Sequence, residues 1–347
     1  MGRRDAAISD AILKAIFKDK QGKANILLRI LAFFSLFRVA LARYEDGLFK
    51  HLREEVWQLD EDEYRESFRR YDKKVRLRAI GDLGYSGSTF FTTANSKFLI
   101  KSLPRRFENT FFQNELLKPY YEHMSRYPSS LLVRITDFLY TPYKALGTLL
   151  GIAPSHHIIM ENVLYGKSED PKGDNWETYD LKPVTYFFPE RDIAGGRLAP
   201  ESVKERLIDR FEDKVRVTSH QRDDLVEMLV QDTKLLEAYN AIDYSLFLVR
   251  YPAPNGDSER EIPTLPSPTA GPWRDGVTSA DKKWVYRAVI LDFFWAKHKL
   301  EAKAMTGLIK SYNMIDHKGP MSITTSPPEY RTRFLNMVEE LFEIVEA

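Results

Sequence analysis

The chain has 347 residues, 43% hydrophobic and 29% charged, which calls for a sizeable core under a soluble surface in one large two-lobed domain or two ordinary ones. A formal net charge of +1 excludes a globally basic protein, so no nucleic-acid partner is expected and any contact with anionic lipid must come from local patches. The absence of cysteine excludes disulfides and thiolate metal sites and suits a reducing compartment.

Residues 1–6 lack the texture of a signal peptide, and Ala6 stands where a myristoylation motif wants Ser or Thr. Residues 8–44 read as helix, capped by Ser9 or Asp10 and split at Gly22. Nine basic side chains face four acids up to residue 45, so this segment is either a helix packed on the body or a second copy, or an interfacial helix with a basic rim. Its longest apolar stretch, 26–37, is too short to span a bilayer. Residues 46–70 read as further helices with Trp57, Leu59, Tyr64 and Phe68 in a core.

From Val75 the alternation in VRLRAI predicts a strand, followed by a Gly-Ser turn and two strands around a polar turn at 94–97. A helix over 107–125 and strands in LLVRITDFLYT and HHIIMENVLYG come next, separated by TPYKALGTLLGIAP, which reads as an insertion. A polar loop over 167–177 leads to the strand TYDLKPVTYFF, then two helices over 200–240 and the run AIDYSLFLVRY. Six prolines and little apolar pattern make 252–283 read as an exposed, disordered loop. KWVYRAVILDFF predicts a buried strand ending in an acid, and a lysine-rich stretch over 297–310 precedes a final helix from Pro328.

Five features carry chemistry. In Gly84-Tyr85-Ser86-Gly87-Ser88, glycines and small hydroxyls between paired strands let backbone N–H groups approach phosphate, although such turns also join ordinary hairpins. Lys101 in FLIKSL lies in a strand otherwise meant for burial. There an ammonium either meets an anion such as a nucleotide phosphate or points to solvent from an edge strand. Asp180 and Lys182 in YDLK share one face of a strand, as a site or as a plain ion pair. Asp243 follows a long helix and Asp292 ends an apolar strand. Each is either a turn residue or, at a cleft, a Mg²⁺ ligand or proton acceptor. Their order along the chain outlines a kinase-like two-lobed site.

With those residues in view, the sequence resembles the phosphatidylinositol phosphate kinases over about residues 46–343. GYSGSTFFTTANSKFLIKSL is similar to that family's glycine-rich hairpin and lysine, and HHIIMENV to its hinge strand. YDLK, AIDYSLFLV and VILDFF are similar to its Y-D-L-K-G-S, M-D-Y-S-L-L and I-I-D motifs, and PPEYRTRFLNMVEELF to its last motif-bearing helix. The resemblance implies an α+β fold of two lobes with antiparallel sheets. A basic helical segment would occupy 1–45, a nucleotide-binding lobe 46–166 and a catalytic lobe 167–347, the last holding the loop at 252–283.

It implies ATP and Mg²⁺ as cofactors. Gly84, Ser86, Gly87, Ser88 and Lys101 would bind the phosphates, and Met160 and Asn162 would lie in the hinge beside the nucleotide. Asp180 and Lys182 would sit near the transferred phosphate, Asp243 near the substrate hydroxyl and Asp292 on the metal. Lys299 and Glu301, in HKLE, would meet the lipid. A glutamate there goes with transfer to the 5-hydroxyl of phosphatidylinositol 4-phosphate. The implied partner is a phosphoinositide on an anionic membrane, with the protein peripheral on the cytoplasmic side, the plasma membrane in particular; a homodimer is also allowed.

The pattern departs from the family at Pro183-Val184, which replaces the motif's Gly-Ser and removes a backbone donor. Tyr85 stands where a basic residue is common. The alternative readings are a catalytically weak or inactive scaffold that binds lipid or protein, and a soluble inositol polyphosphate kinase.

Overall fold

The computed structural model describes residues 2–17, 39–69, 77–81, 88–143, 146–149, 153–183, 211–254, 262–265, 267–298 and 325–346. It is a mixture of helices and largely antiparallel sheets, hence α+β, and the chain divides into two compact units. The first comprises Met1–Asn109, Arg134–Tyr165 and Leu265–Thr269; the second comprises Thr110–Val133, Gly166–Thr264 and Ala270–Ala347. Residues 110–133 therefore fall in the second unit, whereas the sequence division at 166 grouped them with 46–109.

The first unit is built on a six-stranded sheet in the order β1-β5-β6-β4-β3-β2. Its strands are β1 (Ala42–Arg43), β2 (Arg78–Gly81), β3 (Phe90–Thr92), β4 (Phe98–Ser102), β5 (Ile135–Tyr140) and β6 (His156–Glu161). Every pairing is antiparallel. Helix α1 (Arg3–Phe17) lays Ile8, Ile12 and Ile16 against Phe91, Ile100, Leu139 and Ile159. Strand alternation follows: Phe98 and Ile100 join that core, while Leu99 and Lys101 take the other face.

Two expectations for the N-terminus are corrected. The helix begins at Arg3, so Ser9 and Asp10 lie inside it, and the Ser9 hydroxyl accepts a bond from the Leu77 amide at 3.2 Å. Residues 42–43 are strand, and α1 belongs to the core of the first unit instead of forming a separate segment. Gly22 and the interfacial-helix reading of 23–38 lie outside the described residues.

Helix α2 (Asp46–His51), a π turn over Leu52–Val56 and α3 (Glu61–Glu66) follow. Trp57, Leu59, Tyr64 and Phe68 are buried as the pattern predicted. Arg53 is fully buried, bound to Glu61 at 2.7 Å and to Asp137 at 3.2 Å; Asp137 also accepts from Arg43 at 3.1 Å and Tyr64 at 2.7 Å. This network ties the helical segment to β5.

The helix α4 (Arg106–Phe111), which begins in the first unit and ends in the second, widens into a π turn over Phe112–Leu116 before α5 (Leu117–Arg126). Pro119 accounts for the widening, because it lacks the N–H that a regular helix would donate four residues back. The insertion after β5 carries the short helix α6 (Leu146–Leu149).

A four-stranded antiparallel sheet ordered β11-β12-β10-β7 forms the second unit's centre. It consists of β7 (Glu177–Leu181), β10 (Ser245–Pro252), β11 (Val277–Thr278) and β12 (Trp284–Leu291). Beside it lie the ribbon of β9 (Ala241–Ile242) with β13 (Trp295–Ala296), and the parallel pair β8 (Val215–Val217) with β14 (Phe342–Ile344). Helix α7 (Ser219–Ala238) starts with a capping box between Thr218 and Gln221. The last helix, α9 (Pro327–Glu340), is capped by Ser326 with proline at its first position. Buried Asp232 of α7 binds His123 and Ser130 at 2.7 Å each and the Leu131 amide at 2.7 Å, fixing the segment before β5.

The loop reading of 252–283 is corrected over its described part. Residues Pro272–Asp275 form a short helix, α8, whose Trp273 and Arg274 are buried. Arg274 donates to the carbonyls of Ser130 and Leu132, and Ser267 and Thr269 donate to the carbonyls of Trp57 and Val56. Polar groups bonded to backbone hold this segment, so no apolar periodicity announces it. Residues 255–261 lie outside the described residues.

Candidate active site

Lys101 is the penultimate residue of β4, paired with Phe90 and Ile158 on the flanking strands, and is 7% exposed. Its Nζ lies 5.6 Å from the Phe90 ring centroid. The position is interior to the sheet, so the edge-strand reading is corrected. Ser88 is buried beside β3; Gly84, Ser86 and Gly87 lie outside the described residues. Met160 is buried in β6, between Leu99 and Ile135. The Asn162 side chain is committed to backbone, donating to the Ser96 carbonyl at 2.6 Å and accepting from the Leu164 amide at 3.1 Å. It therefore fastens the β3–β4 turn.

The second unit brings the remaining candidates together. Asp180 is the penultimate residue of β7 and Lys182 the first beyond it. Lys182 Nζ binds Asp243 Oδ2 at 3.1 Å, with the two side chains 23% and 17% exposed. Burial opposes the charge on Lys182, but Asp243, then Asp180 and Asp292, outweigh it and raise its pKa above the ordinary lysine value. The sequence pairing of Asp180 with Lys182 is thus enlarged: the ammonium is bonded to Asp243 and lies within the field of all three carboxylates.

Asp243 and Asp292 occupy equivalent corners. Asp243 stands between β9 and β10, and Asp292 between β12 and β13. Both have left-handed backbone, φ 62° and 60°. Aspartate tolerates that region better than most residues, yet it remains uncommon there. Each aspartate is followed by a buried aromatic anchor. Tyr244 packs edge-on against Tyr330 and Phe334, and Phe293 stacks on Tyr120.

Three carboxylates around one ammonium leave an excess of negative charge, which suits a hard divalent cation. Among the described residues no three His, Asp or Glu side chains converge into a ready-made cation cage. One or two of these carboxylates would suit Mg²⁺, which completes its shell with phosphate oxygens and water.

Pro183 is buried directly after Lys182, while Val184, Lys299 and Glu301 lie outside the described residues. His298, next to that stretch, binds Glu115 at 2.8 Å, and Glu108 binds Arg105 at 3.4 Å. The sequence reading did not register that the two aspartate corners are equivalent, although the repeated apolar–Asp–aromatic pattern of Ile242-Asp243-Tyr244 and Leu291-Asp292-Phe293 carries that signal.

A family model described as phosphatidylinositol-4-phosphate 5-kinase matches residues 71–271. A probable phosphatidylinositol phosphate kinase of Dictyostelium discoideum is 27% identical over 192 residues, covering 54% of this chain and 24% of that protein. A phosphatidylinositol 4-phosphate 5-kinase of Plasmodium falciparum is 26% identical over 280 residues, 74% of this chain and 15% of that protein. A mouse 1-phosphatidylinositol 3-phosphate 5-kinase is 23% identical over 318 residues, 87% of this chain and 12% of that protein. The matched part is thus less than a quarter of the length of each of these relatives.

Proposed function

Since the chain belongs to the phosphatidylinositol-4-phosphate 5-kinase family, we propose that it transfers the γ-phosphoryl group of ATP to a ring hydroxyl of a phosphatidylinositol phosphate at a membrane surface. The preferred substrate is phosphatidylinositol 4-phosphate and the acceptor its 5-hydroxyl. The inositol oxygen forms a bond to the γ-phosphorus, the bond to the bridging oxygen of ADP breaks, and the hydroxyl proton passes to Asp243.

The observation that carries this reading is the Lys182–Asp243 contact at 3.1 Å within the field of Asp180 and Asp292. Lys182 holds the Asp243 carboxylate in place as a proton acceptor and presents a cation to the transferred phosphate. Asp292 would hold Mg²⁺, which would offset charge on the phosphates. Lys101 binds ATP phosphates, and Met160 lies beside the base.

Lys299 and Glu301 select the lipid, and nearby lysines hold an anionic surface, each contributing on the order of 1 kcal/mol. Among the described residues no helix is long and apolar enough to cross a membrane. The protein works as a peripheral enzyme at the cytoplasmic face of the plasma membrane.

Buried Pro183 supports a second reading, a scaffold that binds nucleotide or lipid without turnover, because it withholds the backbone donor that glycine offers at that place. Incorporation of labelled phosphate from ATP into vesicles containing phosphatidylinositol 4-phosphate decides between them. Transfer that disappears in Asp292→Ala establishes the kinase. Nucleotide binding without transfer establishes the scaffold.

A further inference from the structure

Near the two aspartate corners lies a polar group with no hydrogen-bond partner among the described residues. Ser245 opens β10, two residues after Asp243, and pairs across the ladder with Leu291, the residue before Asp292. Its side chain is fully buried, and its Oγ has no hydrogen-bond partner among the described residues. Phe247, two residues on, pairs with Asp180, so alternation puts Ser245 on the sheet face that carries Asp180.

A buried hydroxyl without a partner costs the fold its desolvation and returns nothing. Alanine would serve the fold alone at least as well, which makes the hydroxyl a group kept for another state of the site. A neutral O–H donor beside a carboxylate fixes which oxygen faces an incoming cation without competing for its charge. Its ladder pairing with Leu291 places Ser245 beside the residue that precedes Asp292.

We propose that Ser245 is a positioning residue for the cation-bound nucleotide: its hydroxyl donates to the Asp292 carboxylate when that carboxylate takes up a divalent cation. The inference rests on the phosphotransfer reading above and adds to it a residue acting through Asp292.

The test is Ser245→Ala, followed by thermal unfolding without ligand and by calorimetric titration of ATP in Mg²⁺ and in EDTA. The expected result is an unliganded Tm unchanged or raised, ATP affinity in Mg²⁺ about 10-fold weaker, and ATP affinity in EDTA unchanged. Ser245→Thr, which keeps the hydroxyl, restores the Mg²⁺ response. A lowered unliganded Tm would make Ser245 a structural residue and overturn the proposal. So would equal loss of ATP affinity in Mg²⁺ and in EDTA. Wild-type protein that binds ATP more tightly with Mg²⁺ while Ser245→Ala matches it overturns this inference alone. Wild-type protein that gains nothing from Mg²⁺ overturns the phosphotransfer reading and this inference with it.

Discussion

Asp243 and Asp292 are related by the strand ladder. Ser245, two residues after Asp243, pairs with Leu291, the residue before Asp292; Ile242, the residue before Asp243, pairs with Trp295, three residues after Asp292; and both aspartates turn the chain through left-handed backbone. Two carboxylates thereby reach one end of the sheet by the same device, each locked by a buried aromatic next in sequence.

Backbone and charge at these corners separate by substitution. Asparagine tolerates left-handed backbone about as well as aspartate, whereas a β-branched residue is strained there. Asp243→Asn and Asp292→Asn are expected to unfold within about 0.5 kcal/mol of wild type. Asp243→Val and Asp292→Val are expected to lose about 1–2 kcal/mol. Chemical denaturation measures both pairs, and equal losses in Asn and Val variants would show that charge, not backbone, sets the cost.

Removing the cation should act on turnover more than on folding. Lys182 is partly exposed, so Lys182→Met is expected to unfold close to wild type while phosphate transfer falls about 100-fold or more. Lys182→Arg should not rescue it, because a planar guanidinium cannot replace a compact ammonium among three carboxylates. Full activity in either variant contradicts the role given to this side chain.

The buried network around Asp137 supports the first unit. Asp137→Ala leaves Arg53 charged in the interior, with only part of its pairing, and should cost about 3–5 kcal/mol. A loss under about 1 kcal/mol in denaturant titration would show that Glu61 alone satisfies Arg53.

His157 predicts how stability responds to acid. It is fully buried in β6 with neither ring nitrogen hydrogen-bonded among the described residues. Burial, with His156 and Arg4 adding to it, pushes its pKa down to about 3. The unfolded chain protonates this histidine below its ordinary pKa of about 6.5 while the folded chain does not, so stability falls as pH drops from there towards 3. The slope attributable to this group is at most about 1.4 kcal/mol per pH unit. His157→Phe should flatten it, and an unchanged slope would assign the effect to other groups.

Much of this was legible beforehand. The β3–β4 hairpin, the strand that leads to Asp292 and the final helix follow from alternation and capping residues. Three things were hidden, each for a physical reason. The π turn at 112–116 comes from the missing N–H of Pro119, which periodicity does not register. The segment 262–283 is held by side chain–backbone bonds, so its apolar pattern is weak although Trp273 and Arg274 are buried. The pairing of Lys182 with Asp243 joins residues far apart in sequence through the β7–β10 register, where local spacing favoured Asp180.

The most direct measurement of the central claim is phosphate transfer from labelled ATP to vesicles of phosphatidylinositol 4-phosphate by wild type and by Asp243→Asn, with the product's ring position determined. The account predicts a 5-phosphorylated product from wild type and transfer at least about 100-fold slower from Asp243→Asn, with ATP binding retained. Absence of product from wild type that binds ATP, or equal transfer by both proteins, would contradict it.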